Sequence, residues 1–306
     1  MHKYAALFAG QGSQYPGMAT ELVNHPIGIE IFERANEALG FDIKKMCVQG
    51  DAEQLKLTIN AQPSIYTVSF ILYQIFLSET KLKPEVAAGH SLGEYTALAA
   101  AEVFTFEEGV RAVRKRGEVM QTAVPVGVGA MAAVLGADTQ ELENYCSEVS
   151  SELSPEKVVP ANFNCSGQTV ISGHKKAVEK ILTKFKGKVL EVSAPFHSPL
   201  MAPAAEEMKE VLDNINFQNA IFPIISNCDS KFRTEAESFK NSLITQITDP
   251  VYWDTGILEI KNNYDLDVFI EFAPESVLTG LMRRIDKSLK VAPFKITDNP
   301  HTLISQ

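Results

Sequence analysis

The residues best suited to chemistry lie around one serine. Ser91 is the centre of GHSLG, a G-x-S-x-G pattern at residues 89–93. This pattern is typical of a nucleophile elbow, a sharp turn between a strand and a helix that lifts a serine hydroxyl out of a sheet. A predicted strand at 85–88 and an alanine-rich predicted helix at 92–101 supply that context. The pattern therefore predicts a serine that attacks a carbonyl.

Such a serine needs a base, and histidine is the usual one because its pKa lies near neutrality. The ring of His90 is expected to diverge from the neighbouring hydroxyl, so we interpret it as a packing residue. His197 stands in APFHSPLM, where a predicted small domain rejoins a large one, and clefts between domains are common ligand sites. His301 stays an alternative because Asp298 precedes it, as in the order serine, acid, histidine. Its segment, DNPHTLISQ, is however typical of a frayed polar terminus.

A helix predicted from Thr105 carries one arginine of interest. TFEE at 105–108 is a capping-box pattern, with Glu108 in the reciprocal position. Arg116 lies at the edge of the apolar stripe of this helix, where an arginine either extends to the surface or points into a site. The stripe is formed, at about 100° per residue, by Phe106, Val110, Val113, Gly117 and Met120.

Strands and helices alternate along the chain, which predicts an α/β fold with a mainly parallel sheet. Residues 126–195 follow the order β-α-β-β-α-β of a ferredoxin-like unit. We therefore predict a large α/β-hydrolase-like domain at 1–125 and 196–306, which carries the elbow, and an inserted ferredoxin-like small domain at 126–195. Two further expectations are an apolar helix over 64–79 that follows Pro63 and a helical stretch over 251–262.

Composition excludes several classes of protein. The 306 residues, 45% of them hydrophobic, suffice for one large core with a smaller insert. A net charge of −10 argues against a nucleic-acid-binding surface, so an anionic ligand must be held by local cations. No apolar run approaches ~20 residues and no secretory signal is apparent, so we expect no membrane span and a cytoplasmic location. The four scattered cysteines lack C-x-x-C or metal spacing, which predicts neither a disulfide framework nor a metal site.

Seven motifs together carry a resemblance to a known family. They occur in the order and at the separations seen in malonyl-CoA:acyl-carrier-protein transacylases, and the resemblance covers essentially the whole chain. It is closest to the discrete bacterial enzymes of fatty-acid synthesis and extends to acyltransferase domains of polyketide synthases. One departure is APES at 273–276, where relatives often have Gly-Pro-Gly. The motifs are FAGQGSQYPGM, AGHSLGEYTALAA, RKRGEVMQTAVPVGVGAMAAVLG, ANFNCSGQTVISG, SAPFHSPLMAP, QITDPVYW and VLTGLMRRI.

The resemblance implies roles for particular residues. Ser91 would take the malonyl group as an ester, and His197 would be its base. The backbone N–H groups of Gln11 and Leu92 would form the oxyanion hole. Arg116 would pair bidentately with the free malonyl carboxylate, a geometry that lysine cannot match.

Further roles are implied around the histidine and the acyl group. In this family a backbone carbonyl near a glutamine orients the histidine, and Gln246 matches that position. Asp249 is the nearest conventional acid, but we interpret it as a turn residue before Pro250. Asn162 matches a residue that approaches the acyl group. Phe196 resembles the aromatic residue that leaves little room for an α-methyl group.

The implied reaction is a ping-pong transfer from malonyl-CoA to phosphopantetheinylated acyl carrier protein, with no bound metal or redox cofactor and a monomeric enzyme. Because the carrier protein is acidic, docking requires a local basic patch. A discrete acyltransferase of a polyketide synthase and an acyl hydrolase stay as alternatives, and Arg116 argues against the hydrolase. A non-catalytic adaptor is a further alternative, against which Ser91 and His197 argue. Two candidate patches are Lys184 with Lys186 and Lys188, and Arg283 with Arg284.

Overall fold

The computed structural model describes residues 2–304, and most of its strands belong to one largely parallel sheet. Across this sheet the strand order is 11-10-1-2-7-8 in chain numbering, and every pair is parallel except the last. This confirms the predicted α/β fold. The strands are β1 (Tyr4–Phe8), β2 (Val86–Gly89), β7 (Ile224–Ile225), β8 (Phe232–Arg233), β10 (Val268–Phe272) and β11 (Val291–Pro293).

The second sheet contains the β-α-β-β-α-β unit. Its strands are β3 (Gly129–Leu135), β4 (Val158–Cys165), β5 (Gln168–His174) and β6 (Gly187–Val189), joined by β9 (Val251–Tyr252). The order is β6-β3-β5-β4-β9; the first four strands pair antiparallel, and β9 pairs parallel with β4. The domain boundaries at 126 and 195 stay a prediction, but this sheet takes a strand from outside that range.

The helical prediction for 251–262 is wrong at its start. Val251 and Tyr252 are extended and pair with Asn162 and Phe163 of β4, because Val251 is buried there and the Tyr252 ring stacks on that of Phe163. The helix begins only at Trp253.

Helices cover both faces of the larger sheet. They are α1 (Pro26–Leu39), α2 (Ile43–Gln49), α3 (Ala52–Lys56), α4 (Thr58–Thr80), α5 (Leu92–Ala100), α6 (Phe106–Thr122), α7 (Thr139–Glu152), α8 (Lys175–Lys184), α9 (Ala202–Asp213), α10 (Ala236–Thr248), α11 (Trp253–Asn263), α12 (Leu278–Ile285) and α13 (Pro300–Leu303), with 3-10 turns at Leu22–Asn24 and Pro199–Met201.

The long helix α4 begins at Thr58 and contains Pro63, whereas the sequence predicted a start at 64. A proline inside a helix leaves the carbonyl four residues earlier without its usual N–H donor. Here that carbonyl belongs to Ile59, and Nη1 of Arg114 on α6 donates to it over 2.8 Å. The helix therefore continues through Pro63 because a neighbouring helix supplies the missing donor.

Two apolar clusters hold the larger sheet between its helices. On the α4 face, rings contact one another mainly edge to face, and on the other face α11 and α12 pack on the strands. The rings of the first cluster belong to Phe8, Tyr73, Phe76, Phe272 and Phe294.

Within the described chain, no helix is both long and apolar enough to span a membrane, including the long helix α4.

The C-terminal segment corrects a second expectation. Residues 300–303 form α13, whose N-cap Asn299 accepts a hydrogen bond from the amide of His301. Leu303 and Ile304 are buried in the main core. As far as Ile304 the segment is not a frayed polar tail, because these two apolar side chains anchor it; residues 305 and 306 lie outside the described part of the chain.

Candidate active site

The serine stands on a strained turn between β2 and α5. Ser91 has φ 51° and ψ −106°, a conformation that costs free energy for an L-residue and is concentrated at functional sites. A Cβ added at Gly89 would lie 1.9 Å from the carbonyl carbon of Gly93, and one added at Gly93 would lie 2.0 Å from the carbonyl oxygen of Phe8. Only glycine at both positions permits this turn.

Asn227 holds the turn in place. Its Oδ1 accepts from the Ser91 amide over 2.7 Å, and its Nδ2 donates to the Gly89 carbonyl, also over 2.7 Å. The backbone groups on both sides of the nucleophile are therefore fixed by one buried side chain, which offsets the strain of the elbow.

His197 is the histidine that the fold brings to the serine. Its Nε2 lies 2.7 Å from Ser91 Oγ, and its Nδ1 lies 2.7 Å from the backbone oxygen of Gln246. A carbonyl can only accept, so Nδ1 carries the proton and Nε2 is left as a base for the hydroxyl. Burial, together with the charge of Arg116, lowers the His197 pKa to about 3, so the ring stays neutral at physiological pH.

The other candidate residues lie elsewhere. His90 turns away from the hydroxyl, and its Nε2 lies 2.8 Å from Asn164 Oδ1. Asp249 follows α10 directly; its carboxylate accepts from the Thr248 hydroxyl, and only its backbone contacts His197. His301 is exposed on α13. Of the residues considered for the base and its support, the structure joins Ser91, His197 and the Gln246 carbonyl.

Arg116 is fully buried, not at a surface edge, and its head group faces the serine. Nη2 donates to Ser91 Oγ over 3.2 Å and to Gln246 Oε1 over 2.9 Å, while Nη1 donates to Gln62 Oε1 over 2.9 Å. In the part of the chain that the structure describes, its Nε has no hydrogen-bond partner and no carboxylate lies within ion-pair distance. A buried cation without an anion is costly unless a ligand supplies the negative charge.

A cavity of about 430 Å³ opens beside these groups. Gln11 and Leu92 line it, and the Leu92 amide is the first of α5, so it has no acceptor within its own helix. The loop that carries Gln11 lies directly on the elbow, since a Cβ at Gly10 would come within 2.4 Å of the His90 carbonyl oxygen.

The second sheet closes the opposite side of this cavity. Asn162 of β4 lines it with a mostly buried side chain, and so does Phe196 in the segment before His197. Val277, directly after the APES segment, also borders it. The cavity therefore lies between the two sheets and takes residues from each.

Three polar residues of the site were not predicted. Gln62 contacts Arg116, Asn227 holds the elbow, and Glu94 is buried beside Gln246. Two of them had a usable signal in the sequence: Glu94 is part of GHSLGEY, and Asn227 directly follows the apolar run IFPIIS, which contains β7, at the end of a parallel sheet where ligand sites concentrate.

The two candidate basic patches differ in their surroundings. Lys184 pairs with Glu141 over 3.0 Å and lies over the Tyr145 ring, on the outer side of the small sheet. Arg284 of α12 is hydrogen-bonded to the side chain of Gln168, which lines the cavity, as does Leu281 of the same helix. Of the two candidate patches, the one on α12 therefore has a side chain, that of Arg284, bonded to a residue that lines the cavity.

Comparisons with known proteins agree with this geometry. The model of the family described as "Acyl transferase domain" matches residues 6–299. The malonyl CoA-acyl carrier protein transacylase of Bacillus subtilis (strain 168) is 44% identical over 297 residues, which cover 95% of this chain and 92% of that protein. The Escherichia coli (strain K12) protein of the same name is 39% identical over 296 residues, covering 94% of each chain.

Solved structures give the same result. The malonyl CoA-acyl carrier protein transacylase of Coxiella burnetii superposes with a TM-score of 0.93 at 37% identity, covering 99% of this chain and 96% of that one. A malonyl-transacylase in complex with a type II polyketide synthase acyl-carrier protein superposes with a TM-score of 0.93 at 36% identity, covering 99% of each chain. The chain therefore belongs to the acyl transferase domain family, and within it to the malonyl-CoA:acyl-carrier-protein transacylases.

Proposed function

We propose that this chain transfers a malonyl group from malonyl-CoA to the phosphopantetheine thiol of acyl carrier protein, through an ester on Ser91. The observation that supports malonyl as the acyl group is the position of Arg116: its guanidinium is buried beside Ser91 and has no carboxylate partner. An acyl group that ends in a carboxylate would supply the missing anion.

In the first half-reaction, Ser91 Oγ attacks the thioester carbonyl as its proton passes to His197 Nε2. The proton on Nδ1 stays there and is donated to the Gln246 carbonyl oxygen, which keeps the ring in position. The backbone N–H groups of Gln11 and Leu92 donate to the oxyanion that forms. The C–S bond then breaks, and coenzyme A leaves as a thiol with the proton from His197.

In the second half-reaction, His197 takes the proton of the incoming phosphopantetheine thiol. The thiolate attacks the malonyl ester, the C–O bond breaks and the proton returns to Ser91 Oγ. The two halves are chemically symmetric, so one base and one oxyanion hole serve both. We assign the product to fatty-acid synthesis; the relative in complex with a polyketide synthase carrier protein keeps the second pathway as the alternative.

For the carrier protein, we propose docking at Arg283 and Arg284. Both are exposed, and their helix borders the cavity into which the phosphopantetheine arm would have to reach. An acidic partner also matches two adjacent arginines on a chain whose net charge is −10.

We further propose a monomer in the cytoplasm. All four cysteines are free thiols, which fits a reducing compartment. Large exposed apolar side chains such as Tyr15, Val126 and Ile221 belong to separate segments of the chain, and scattered apolar residues are normal on a monomer.

Intact-protein mass spectrometry tests the reaction. After brief mixing with malonyl-CoA, we expect a malonyl adduct on the wild-type chain, its transfer to added carrier protein and no adduct on Ser91→Ala. Arg116→Ala should lower the preference for malonyl-CoA over acetyl-CoA by about 100-fold, since charge-assisted hydrogen bonds to the carboxylate are lost. Arg111→Ala, an exposed arginine on the same helix, is the matched control.

The alternatives give different results. An adduct that decays equally fast without carrier protein would establish a hydrolase, and the absence of any adduct would establish an adaptor. Unchanged malonyl preference in Arg116→Ala would refute the role of the guanidinium.

A further inference from the structure

A buried carboxylate lies behind the active site, and no step of the proposed reaction uses it. Glu94 is the third residue of α5 and is 1% exposed. Its Oε2 accepts from Gln246 Nε2 over 2.6 Å and from the Asn227 amide over 3.3 Å. A buried carboxylate is tolerated only with such donors, so these contacts fix its position.

Gln246 connects this carboxylate to the catalytic groups. Its Nε2 donates to Glu94 and to the Ser91 carbonyl, while its Oε1 accepts from Arg116 Nη2. Its backbone oxygen accepts from His197 Nδ1. One residue therefore contacts the nucleophile, the base and the buried cation at the same time.

The orientation of the Gln246 side-chain amide depends on its hydrogen-bond partners. The oxygen and nitrogen of an amide are almost equal in size, so hydrogen-bond partners decide which way it points. The Glu94 carboxylate and the Ser91 carbonyl can only accept, so both require Nε2 on their side, and the Arg116 guanidinium can only donate, so it requires Oε1. A flipped amide would place N–H groups against the N–H groups of the guanidinium.

Glu94 also supports the turn at Ser91, through Asn227. The backbone N–H of Asn227 donates to the Glu94 carboxylate. The side chain of the same residue accepts from the Ser91 backbone N–H and donates to the Gly89 carbonyl. Removing the negative charge of Glu94 therefore affects the supports of both Arg116 and Ser91.

We propose that Glu94 is a positioning residue for acyl transfer: its carboxylate fixes the Gln246 amide so that Arg116 is held ready to receive the carboxylate of the acyl group. This inference rests on the proposed function, because it concerns how Arg116 selects the substrate.

The charge state of Glu94 makes the inference testable by pH. Burial raises the Glu94 pKa to about 7, against the opposing effect of the hydrogen bonds from Gln246 and Asn227. As the pH falls through that value the carboxyl gains a proton and loses its charge, so the charge-assisted hydrogen bond from Gln246 Nε2 weakens to a neutral one and the side-chain amide is held less firmly against Arg116. The other titratable groups that face Glu94 are Tyr95 of α5, Arg116 of α6, Arg233 of β8 and Cys228 in the loop between β7 and β8.

The test compares the wild-type chain with Glu94→Gln, which keeps the size and removes the charge. Acylation by malonyl-CoA and by acetyl-CoA is measured from pH 5.5 to about 8.5, a window set around the perturbed pKa. We expect the wild-type malonyl preference to rise with pH through neutrality. In Glu94→Gln it should be independent of pH and about tenfold lower at high pH, the effect of replacing a charge-assisted hydrogen bond to Gln246 by a neutral one.

Glu271→Gln is the matched control. Glu271 is an equally buried carboxylate that accepts from the amides of Leu278 and Thr279 at the start of α12. Its substitution removes a buried charge that contacts neither Gln246 nor Asn227, so it should lower the melting temperature and leave the pH dependence of the malonyl preference in place.

A second measurement does not depend on activity. The side-chain NH₂ resonance of Gln246, assigned by its loss in Gln246→Ala, should shift with pH near neutrality in the wild-type chain and stay constant in Glu94→Gln. A resonance that does not titrate, or an unchanged malonyl preference in Glu94→Gln, overturns the inference. A wild-type chain that forms no malonyl adduct overturns the proposed function instead, and the NMR titration still decides whether Glu94 holds Gln246.

Discussion

At the scale of single residues, the site combines a neutral base with a buried cation. The Arg116 charge helps to lower the His197 pKa, so the cation that would hold a substrate carboxylate also keeps the base unprotonated. Because Nη2 contacts Ser91 Oγ, an acyl carboxylate bound to Arg116 would lie close to the ester that it forms. In the proposed reaction, substrate choice and nucleophile activation would therefore share one side chain.

A residue-scale prediction concerns Phe196, whose mostly buried ring lines the cavity next to His197. Phe196→Ala removes the ring and leaves room for an α-methyl group. The kcat/KM for methylmalonyl-CoA relative to malonyl-CoA should rise about tenfold, the usual worth of one methyl group in an apolar pocket. Competition between the two thioesters, read by mass spectrometry of the adducts, measures the ratio.

Phe217→Ala is the control for this prediction, because that ring packs on Phe104 away from the cavity. Equal ratios in the two variants and the wild-type chain would show that Phe196 does not limit the acyl pocket.

At the scale of elements, α4 and α6 depend on each other. A Cβ at Gly117 of α6 would lie 2.6 Å from the Thr58 carbonyl oxygen, so the helices touch through their backbones at this point. The predicted capping box is confirmed: the Thr105 amide donates to Glu108, and the Glu108 amide donates to Thr105. This cap fixes where α6 begins and therefore where Arg116 lies along the helix.

An element-scale prediction follows from Arg114, which donates to the Ile59 carbonyl over 2.8 Å and to Asn60 Oδ1 over 2.9 Å. Arg114→Met keeps a side chain over the Phe41 ring and leaves that carbonyl without its donor. The free energy of unfolding should fall by about 2 kcal/mol, the range for hydrogen bonds to charged groups. Urea denaturation measures the loss.

Arg111→Met provides the comparison, since Arg111 is exposed on the same helix and should change stability by less than about 0.5 kcal/mol. A loss of equal size in the two variants would mean that the Ile59 contact does not stabilise α4.

At the scale of the whole molecule, the cavity exists because two sheets face each other. The nucleophile comes from the larger sheet, Asn162 from the smaller one, and Arg284 contacts Gln168 across the mouth. A larger surface groove of about 1100 Å³ lies between α1 and α4, but neither Ser91 nor His197 lines it. The candidate active site therefore lies at the junction of the two sheets.

The whole-molecule prediction concerns the carrier protein. Reversing both charges in Arg283→Glu/Arg284→Glu should raise the KM for carrier protein about tenfold and the KM for malonyl-CoA by much less, since the acidic carrier protein would meet both reversed charges on its docking surface. Steady-state transfer at low salt measures it. Lys184→Glu/Lys188→Glu reverses the same number of charges on the small sheet; a rise in KM there and not at α12 would relocate the docking surface.

The sequence by itself determined the local features of this protein. A nucleophile elbow is encoded by five adjacent residues, a capping box by four, and the alternation of strands and helices by periodicities within each element. Ser91, the α6 cap and the β-α-β-β-α-β unit could be predicted because each depends on neighbours along the chain. The choice of His197 over His301 needed the family resemblance, because the residues alone left both open.

Only the tertiary structure decided which distant groups meet. Gln246 reaches Ser91 across 155 positions and Asn227 across 136, separations at which no sequence periodicity carries information. The same holds for Pro63 inside α4: the Ile59 carbonyl, which the proline leaves without a donor, accepts from Arg114 of α6. It also holds for β9, whose pairing with β4 overrides its expected helical state. Glu94 is the clearest case: within its motif it is one helical residue, and only burial beside Gln246 gives its charge a position from which it can act.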